Sequence, residues 1–431
     1  MRYYSTRNAS HKVDLKQAVF NGLAPDGGLY LPEKIQSLPA FFFEQIAETP
    51  FDEINYMVGR ALTGDSLPED ELRKIASEAV NFPTPVVEIE PGVHCLELFH
   101  GPTLAFKDVG ARFMALLLSY FAQKSGDSIK VVVATSGDTG GAVAAGFFNV
   151  EGVEVHILYP KGRVSPLQEK QLTTWGGNIK AIEVEGSFDD CQALAKKLLS
   201  DEALRQKMQL TSANSINIAR LIPQSFYYFH LYAQLKKEDK DLIVAVPSGN
   251  FGNLTGGLLA KLLGLPIRRF IAATNANDIV PKFLGGGAYV PMASVATLSN
   301  AMDVGAPSNF ERMKDLLGTE ASHFLKWMEG SSWSDEDTTA AMHYVKNTHA
   351  YTLDPHGAVG YLGIVEALKK YPGTIGVFLE TAHPAKFADV VRAAIGSEPE
   401  MPERLTAFAK KTKVADTVPN DYEEVRRLIA G

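Results

Sequence analysis

Short apolar runs alternate with helical patterns through the middle of the chain, from about residue 128 onward. The run at 129–135 precedes a helical pattern from Thr139, the run at 153–160 precedes one from Pro166, and the run at 179–186 precedes one near Asp189. Short β-branched runs of this kind are typical of strands buried on both faces, and their alternation with helices indicates βαβ crossovers. The pattern predicts an α/β fold with a parallel sheet.

The same alternation resumes in the second half of the chain. The runs at 242–247, 268–274 and 374–380 read as buried strands, with helices expected after Gly252 and from Pro384. We therefore expect a sheet region with two lobes. Residues 275–335 are irregular and rich in turn residues, so we assign them no fold of their own and expect them to form a substrate face or a lid.

The two ends of the chain read differently from the middle. Residues 24–32, APDGGLYLP, show the turn residues that precede a short strand, within a stretch of short amphipathic segments. We predict an N-terminal domain at 1–92 and a catalytic region at 93–396, whose smaller lobe, roughly 124–240, is embedded in the larger. A charged, mostly helical extension follows at 397–431.

Composition narrows the class of protein. The 431 residues are 45% apolar and carry a net charge of −8, from 42 Lys plus Arg against 50 Asp plus Glu. This balance is that of a globular protein and disfavours nonspecific attraction to nucleic acid or anionic lipid. An anionic substrate would need a local positive site. We expect a small-molecule substrate and neither nucleic-acid nor membrane partners, while the oligomeric state is not specified.

The number and spacing of the cysteines and histidines indicate a reducing compartment and argue against a metal site. Cys95 and Cys191 lie far apart and form no C-x-x-C pattern, which disfavours a disulfide framework and a thiolate metal site. The ten histidines show no i, i+4 pair, so no metal is predicted. The N-terminal residues lack the apolar core of a secretory signal, and the longest apolar run nearby, 113–121, is too short to span a bilayer. We expect a cytoplasmic location.

Two glycine-rich turns come directly after predicted strands and open predicted helices. They are ATSGDTGG at 134–141 and PSGNFGNLTGG at 247–257. Free N–H groups and the positive end of the dipole make a helix N-terminus an anion site, and glycine lets a ligand approach the backbone. The alternatives are an ordinary N-cap by Ser136 or Asp138, and glycines that only allow tight packing. Two such turns in one sheet suggest two anionic groups.

Lys107 lies in HGPTLAFKD, residues 100–108, just before a nearly all-apolar helix. Burial and a helix N-terminus both disfavour the ammonium form, so the amine becomes a competent nucleophile for a Schiff base. The alternative is a surface lysine with a buried stem. A Schiff-base lysine combined with a phosphate-binding turn at the carboxyl ends of parallel strands is what pyridoxal phosphate requires.

Two further segments carry polar groups suited to an anion. SANSINIARLIPQ, at 212–224, contains Asn214, Ser215 and Asn217 in a turn, with Arg220 about one helical turn later. A guanidinium binds phosphate through two parallel charge-assisted hydrogen bonds. The alternative there is an N-cap beside a surface arginine. LETAHPAKF, at 379–387, places a hydroxyl, an imidazole and a lysine where a strand ends, and its alternative is again capping.

Taken together, these segments resemble the threonine synthase family, in the group with an extra N-terminal domain. This family belongs to fold type II, the tryptophan synthase β-like class of pyridoxal phosphate enzymes. The resemblance covers nearly the entire chain. It is carried, in order, by GLAPDGGLYLP, ELFHGPTLAFKD, ATSGDTG, ILYPKGRVSPLQEKQ, ANSINIAR, VPSGNFGNLTGG, FIAATNAND, TLSNAMDV and ETAHPAKF.

The resemblance implies a reaction and a set of site residues. The reaction is the conversion of O-phospho-L-homoserine and water into L-threonine and phosphate by γ-elimination and β-addition. Lys107 is the implied Schiff-base lysine and proton carrier. The other residues implied to bind the cofactor are Asp138, Gly249, Asn250, Phe251, Gly252 and Thr381. The residues implied to bind the substrate are Ser136, Thr139, Asn214, Ser215 and Arg220.

Two other functions stay open from the sequence. A phospholyase or a serine/threonine dehydratase of the same fold would release a 2-oxo acid instead of threonine. The phosphate-binding segment disfavours a plain dehydratase but not a phospholyase. A non-enzymatic sensor of a phosphorylated metabolite is the more distant alternative, since fold does not fix function.

Overall fold

The structure is a computed structural model that describes residues 1–430. Within these residues fourteen strands form three sheets. They are β1 Tyr3–Ser5, β2 Asn8–Val13, β3 Tyr30–Pro32, β4 Val86–Glu90, β5 Val93–Glu97, β6 Ile129–Ala134, β7 Val153–Pro160, β8 Ile179–Glu185, β9 Gln209–Ser212, β10 Leu242–Pro247, β11 Ile267–Thr274, β12 Met328–Ser332, β13 Ile375–Glu380 and β14 Asp416–Pro419.

The two larger sheets confirm the predicted two-lobed α/β fold. The large sheet has the strand order β12-β11-β10-β13-β5-β4, in which only the β4–β5 pair is antiparallel. The small sheet has the order β14-β8-β7-β6-β9 and is parallel throughout. A separate antiparallel sheet, β2-β1-β3, lies in the N-terminal unit.

Twenty α-helices and six 3₁₀ helices connect and cover these strands within the described residues. The α-helices are α1 Leu15–Asn21, α2 Ala40–Gln45, α3 Phe51–Thr63, α4 Glu69–Ala79, α5 Lys107–Ser125, α6 Asp138–Phe147, α7 Pro166–Thr173, α8 Phe188–Ser200, α9 Glu202–Arg205, α10 Ile218–Leu221, α11 Phe226–Leu235, α12 Gly252–Leu262, α13 Ile279–Leu284, α14 Phe310–Leu317, α15 Ala321–Phe324, α16 Asp335–His349, α17 Pro355–Leu368, α18 Ala388–Ile395, α19 Glu403–Ala409 and α20 Tyr422–Ala430. The 3₁₀ helices are Ile46–Glu48, Gly64–Ser66, Ile222–Ser225, Lys236–Glu238, Asn300–Met302 and Pro384–Phe387.

Strand β10 shows why the central strands form. All six of its residues are buried, and successive side chains enter different cores. Val244 packs in the largest core, which also contains residues of the N-terminal unit, whereas Ile243 and Ala245 pack in the core on the opposite face. A strand covered by helices on both faces has no polar face, which accounts for its continuous apolar sequence.

The structure differs from the sequence-based prediction in two segments. The charged tail contains β14, which joins the small sheet beside β8 with Asp416 opposite Ile182. Only Val418 of this four-residue strand is buried, so its sequence has no apolar periodicity to detect. The irregular stretch is shorter than expected, because α13, α14, α15 and β12 form within 275–335.

Neighbouring strands of both lobes end at one cleft. The carboxyl ends of β6 and β9 in the small sheet, and of β10 and β13 in the large sheet, are followed by residues that line the same cavity. This is the edge of a parallel α/β sheet at which ligands bind. None of the helices within residues 1–430 has both the length and the apolar character needed to cross a lipid bilayer.

Candidate active site

A cavity of about 550 Å³ lies between the lobes. All twelve residues that the family resemblance assigns to cofactor and substrate line it, although they come from five separate segments of the chain. They are Lys107, Ser136, Asp138, Thr139, Asn214, Ser215, Arg220, Gly249, Asn250, Phe251, Gly252 and Thr381. The structure thus places them together, while the role of each one stays a prediction.

Lys107 is held at the cavity wall by a short backbone pairing with the segment after β13. The Phe106 N–H donates to the Thr381 carbonyl at 2.8 Å, and the His383 N–H donates to the Leu104 carbonyl at 3.0 Å. Leu104 adopts a left-handed conformation, with φ of 60°, to make this turn. Because Lys107 is the first residue of α5, the pairing brings it and Thr381 to the same cavity.

The surroundings of Lys107 favour its neutral amine. Burial lowers the pKa of Lys107, the carboxylate of Asp138 opposes this effect, and the cations of Lys386 and Arg220 reinforce it. A lysine with a lowered pKa has a larger fraction of neutral amine at physiological pH, and the neutral amine is the nucleophile. The site therefore suits a lysine that forms a Schiff base.

Asp138 opens α6 and is ion-paired inside the protein. Its Oδ1 lies 2.8 Å from Lys386 Nζ and accepts a hydrogen bond from Gln168 Nε2 at 2.8 Å. Burial alone would raise the pKa of Asp138, but the charges of Lys386 and Lys107 and these two hydrogen bonds hold it well below its usual range. Asp138 is therefore a fixed carboxylate and is not available as an N-cap.

Lys386 is the lysine of the 379–387 segment, to which the sequence analysis assigned no role in the site. Its side chain is fully buried and also donates to the Thr103 carbonyl at 2.8 Å. Lysines are almost never buried without a partner. The signal in the sequence is a lysine within the otherwise apolar PAKF of residues 384–387, but its partner Asp138 lies in a different lobe.

The turn before α6 is folded by the hydroxyl of Thr135. This oxygen accepts from the Gly137 N–H at 2.9 Å and from the Gly140 N–H at 2.8 Å. Gly137 has φ of 147°, which favours glycine. Ser136 and Thr139 line the cavity beside this turn.

The turn before α12 has the geometry of a phosphate cradle. A Cβ atom on Gly249 would lie 2.7 Å from Met302 Cα, so a side chain cannot be accommodated there. Phe251 adopts a left-handed conformation with φ of 57° and precedes the eleven-residue helix α12. The turn thus places the N-terminus of α12 at the cavity, and a helix N-terminus is a favourable place for an anion. Asn250 Nδ2 donates to Ser215 Oγ at 2.6 Å and links this turn to the next segment.

Arg220 is a buried cation rather than a surface arginine. It is only 4% exposed, its Nη1 donates to the Ala213 carbonyl at 2.6 Å, and its Nε has no hydrogen-bond partner within residues 1–430. Burial lowers its pKa to about 10, with Asp108 opposing, so the guanidinium stays charged at neutral pH. The N-cap of α10 is Asn217. An unpaired buried cation on a cavity wall fits an anionic ligand.

Behind Thr381 lies a buried acidic cluster. Glu380 Oε1 accepts from the Asp354 N–H at 2.6 Å, and burial together with the Asp354 charge raises the pKa of Glu380 well above its usual range. Asp354 Oδ1 lies 2.6 Å from Nδ1 of His356, a cavity residue whose Nε2 accepts from the Ala301 N–H at 3.2 Å. The sequence analysis missed this cluster, because its members lie in two separate segments and neither segment shows a motif that would indicate their contact.

These parts fit pyridoxal phosphate. The cavity offers an amine of lowered pKa at Lys107, a glycine-rich turn at 249–252 in which Gly249 has no room for a side chain, and an uncharged hydroxyl at Thr381 where β13 ends. One group can tether the aldehyde carbon, one can bind the phosphate, and one can face the ring. The same cavity is also lined by the buried Arg220 guanidinium, which is a second group suited to an anion.

Comparison with known proteins agrees with this chemistry. Residues 79–379 match the family described as pyridoxal-phosphate dependent enzyme, residues 2–80 match the threonine synthase N terminus, and residues 357–429 match the threonine synthase C-terminal family. Together these matches extend over nearly the whole chain.

Full-length relatives are similar to this chain in sequence and structure. Threonine synthase of Escherichia coli (strain K12) is 44% identical over 431 residues, covering 100% of this chain and 99% of the relative. That of Serratia marcescens is 44% identical over 432 residues, with the same coverage. The crystal structure of the Escherichia coli enzyme superposes with a TM-score of 0.92, covering 100% of this chain and 99% of that one. PLP-bound threonine synthase from Brucella melitensis, at 35% identity and the same coverage, also gives 0.92. The chain belongs to the threonine synthase family of pyridoxal-phosphate-dependent enzymes.

Proposed function

We propose that this chain converts O-phospho-L-homoserine and water into L-threonine and phosphate. The observation that carries the proposal is the placement of Lys107 and Arg220 in one cavity: an amine of lowered pKa beside a buried guanidinium that lacks a carboxylate partner within residues 1–430. The first suits amino-acid chemistry, and the second suits a phosphate ester. A dehydratase acting on unphosphorylated amino acids has no use for the second group.

Pyridoxal phosphate, when bound, supplies an electron sink that acidifies carbon–hydrogen bonds next to the amino group. We assign the tether and the proton transfers at Cα and Cβ of the substrate to Lys107. Residues 249–252 would bind the cofactor phosphate, and Asp138, paired with Lys386, would be a further cofactor-binding residue. Thr381 would supply a hydroxyl for the ring nitrogen, and a hydroxyl, unlike a carboxylate, does not strongly favour the protonated nitrogen.

The substrate's two anionic groups are assigned to different walls. Ser136 and Thr139 bind the carboxylate beside the N-terminus of α6. Asn214, Ser215 and Arg220 bind the phosphate, and Arg220 stabilises the charge that grows on this group as it leaves Cγ. Cγ then takes up a proton, equivalent to the one removed from Cβ, and water adds its hydroxyl at Cβ while Cα is reprotonated. The exclusion of water before this step would require the lobes to close, which the cleft between the two sheets allows.

The product decides between this reaction and its relatives. Purified holoenzyme incubated with O-phosphohomoserine is expected to release threonine and phosphate in equal amounts. Release of 2-oxobutyrate with phosphate would instead identify a phospholyase. Unchanged substrate would overturn the proposal.

Arg220 variants test the phosphate site. Arg220→Ala is expected to lower kcat/KM for O-phosphohomoserine by roughly tens to thousands of fold, as for the loss of one partner of a buried charge pair. Arg220→Lys should also be damaging, because an ammonium lacks the planar fork. Weak activity on unphosphorylated hydroxy amino acids serves as the internal control and should hardly change. Equal losses on both substrate types would assign Arg220 to the fold instead.

We also propose a cytoplasmic location and the division into domains at 1–92, 93–396 and 397–431. The location is supported by Cys95 and Cys191, which are both buried free thiols. A separate N-terminal unit is supported by its own sheet, which exchanges no strand with the other two sheets within the described residues, while β4 at the end of the proposed first domain already pairs with β5 of the large sheet.

A further inference from the structure

Arg312 is a second buried guanidinium close to the cavity. It lies on α14 and is fully buried, and it donates to four oxygens, three of them in two distant segments and the fourth at the start of its own helix. Nε donates to the Tyr30 carbonyl at 3.1 Å. Nη1 donates to the Ser215 carbonyl at 3.0 Å and to Asn309 Oδ1 at 2.8 Å, while Nη2 donates to the Ile216 carbonyl at 2.6 Å. None of these four acceptors is a carboxylate, so the charge is not neutralised by its contacts.

The contacts of Arg312 extend to the hydroxyl of Ser215 through Asn309. Asn309 Nδ2 donates to Ser215 Oγ at 3.2 Å and to the Asn250 carbonyl at 3.0 Å, and Asn250 Nδ2 also donates to Ser215 Oγ. A hydroxyl has two acceptor sites and one hydrogen. Because two amides occupy the acceptor sites, the hydrogen of Ser215 is left to donate toward the cavity that this residue lines.

We propose that Arg312 is a positioning residue for the substrate's phosphate. It fixes the backbone of Ser215 and Ile216, orients the Ser215 hydroxyl through Asn309, and adds a positive charge behind the site that Arg220 forms. The inference rests on the proposed assignment of the phosphate site. A dianion in the cavity is the group that this uncompensated charge would favour, because a buried cation is costly without a counterion.

The same arrangement gives the N-terminal unit a part in the site. Arg312 binds the carbonyl of Tyr30 in β3, and the Val19 carbonyl of α1 accepts from Asn217 Nδ2 at 2.9 Å and from Thr211 Oγ1 at 2.8 Å. These bonds hold both sides of the turn that carries Asn214 and Ser215. The N-terminal unit thus supports the turn from the side opposite the cavity.

The test compares Arg312→Lys, Arg312→Met and Asn309→Ala with the wild-type holoenzyme. Arg112→Met is the matched control, because Arg112 also donates to backbone carbonyls, those of Glu78 and Ala79, but neither of these two residues lines the cavity. For each protein we would measure kcat and KM for O-phosphohomoserine, calorimetric binding of inorganic phosphate, cofactor absorption and thermal unfolding.

We expect the Arg312 variants and Asn309→Ala to weaken phosphate binding and raise KM by about 10- to 100-fold, the range for losing a hydrogen bond to a charged group. Cofactor absorption should persist. Arg312→Lys should not restore wild-type binding, since one ammonium cannot span four acceptors. The control should lose thermal stability with KM and phosphate binding unchanged.

Reduced thermal stability with unchanged KM and phosphate binding in Arg312→Lys and Asn309→Ala would overturn the inference. These two variants decide the question if Arg312→Met fails to fold. A wild-type enzyme that forms no threonine would refute the proposed function separately. The calorimetric titration needs no turnover and would still test Arg312 in that case.

Discussion

Asp138 and Lys386 form a buried ion pair at the cavity wall, and its two charges depend on each other. Lys386 is fully buried, and the Asp138 side chain is only 4% exposed. Removing one partner of such a pair leaves a desolvated charge, whereas replacing both can be nearly neutral. We therefore expect a large loss of stability when only one member of the pair is replaced and a small one when both are replaced.

Asp138→Asn is expected to lower the free energy of unfolding by about 3–5 kcal/mol, because it leaves the Lys386 ammonium buried without a countercharge. The double variant Asp138→Asn/Lys386→Met should recover most of this loss. Denaturant unfolding of the two single variants and the double variant measures the coupling. Additive effects would show that the two charges do not depend on each other.

Thr381 lies where β13 ends. Whether the side chain at this position is neutral or negatively charged is expected to decide how readily the ring nitrogen of the cofactor is protonated. Thr381→Asp should favour a protonated ring nitrogen, shift the absorption of the bound cofactor and divert part of the product to 2-oxobutyrate. Thr381→Ser keeps the hydroxyl and is the control, with absorption and products close to wild type. An unchanged spectrum and product ratio in Thr381→Asp would place the ring nitrogen elsewhere.

Residues whose chemistry is local could be predicted from the sequence, and residues with distant partners could not. Lys107 and the turn at 249–252 could be recognised from the residues next to them in the sequence. Lys386 and Arg312 each bind a carbonyl more than 280 positions away, at Thr103 and Tyr30. No spacing in the sequence indicates such contacts, because they exist only after the lobes and the N-terminal unit have packed together.

At the scale of elements, the strands also divide into those that could be predicted from their own sequence and those that could not. β10 and β13 could be predicted because every residue is buried and the runs are apolar except for Glu380 at the end of β13. β12 and β14 lie at sheet edges and have mixed sequences, with one buried residue in each. An edge strand is held by backbone pairing to its neighbour, and that pairing leaves little trace in its own composition.

Helices α3 and α11 are joined by a histidine that must stay neutral. His230 is fully buried, with Nε2 at 2.7 Å from Asn55 Oδ1, Nδ1 at 3.0 Å from Thr84 Oγ1, and its ring stacked on Phe51 at 4.1 Å. Burial lowers the pKa of His230 to about 3. The contact therefore requires the uncharged imidazole throughout the physiological range.

This contact predicts a loss of stability in acid. The unfolded chain binds a proton at this histidine below its ordinary pKa of about 6.5, whereas the folded chain does not until about pH 3. Stability should fall as pH drops through this window, by at most about 1.4 kcal/mol per pH unit from this group. Denaturant unfolding from pH 7 to 4.5 measures it, with His230→Gln as the variant that removes the titration. If the free energy of unfolding falls equally steeply with decreasing pH in this variant and in wild type, the acid sensitivity comes from other groups.

On the scale of the whole molecule, the small lobe is completed by the far end of the chain. Val418, Val425 and Ile429 pack in one core with residues of β6, β7, β8 and α8. The Ile429 carbonyl also accepts from Lys130 Nζ at 2.7 Å. Since β6 leads into the turn that carries Ser136 and Asp138, the C-terminal segment supports the active site without reaching it.

Ile429→Ala is expected to destabilise the small lobe by about 2–5 kcal/mol, because it removes a fully buried aliphatic side chain and leaves a cavity. Cofactor absorption should be lost at a lower denaturant concentration than in wild type. Val414→Ala is the control, because Val414 is 62% exposed and its truncation should change little. Coincident unfolding curves for wild type and Ile429→Ala would contradict this role of the C-terminal segment.

The pairing of β14 with β8 also constrains how the chain is made. Glu183 in β8 and its partner Thr417 in β14 are 234 positions apart. At synthesis rates of about 5–20 residues per second, roughly 10–50 s pass between the synthesis of β8 and the synthesis of β14. During this time the nascent lobe presents an unpaired sheet edge, where Lys180, Glu183 and Glu185 provide the charges that discourage pairing with another nascent chain.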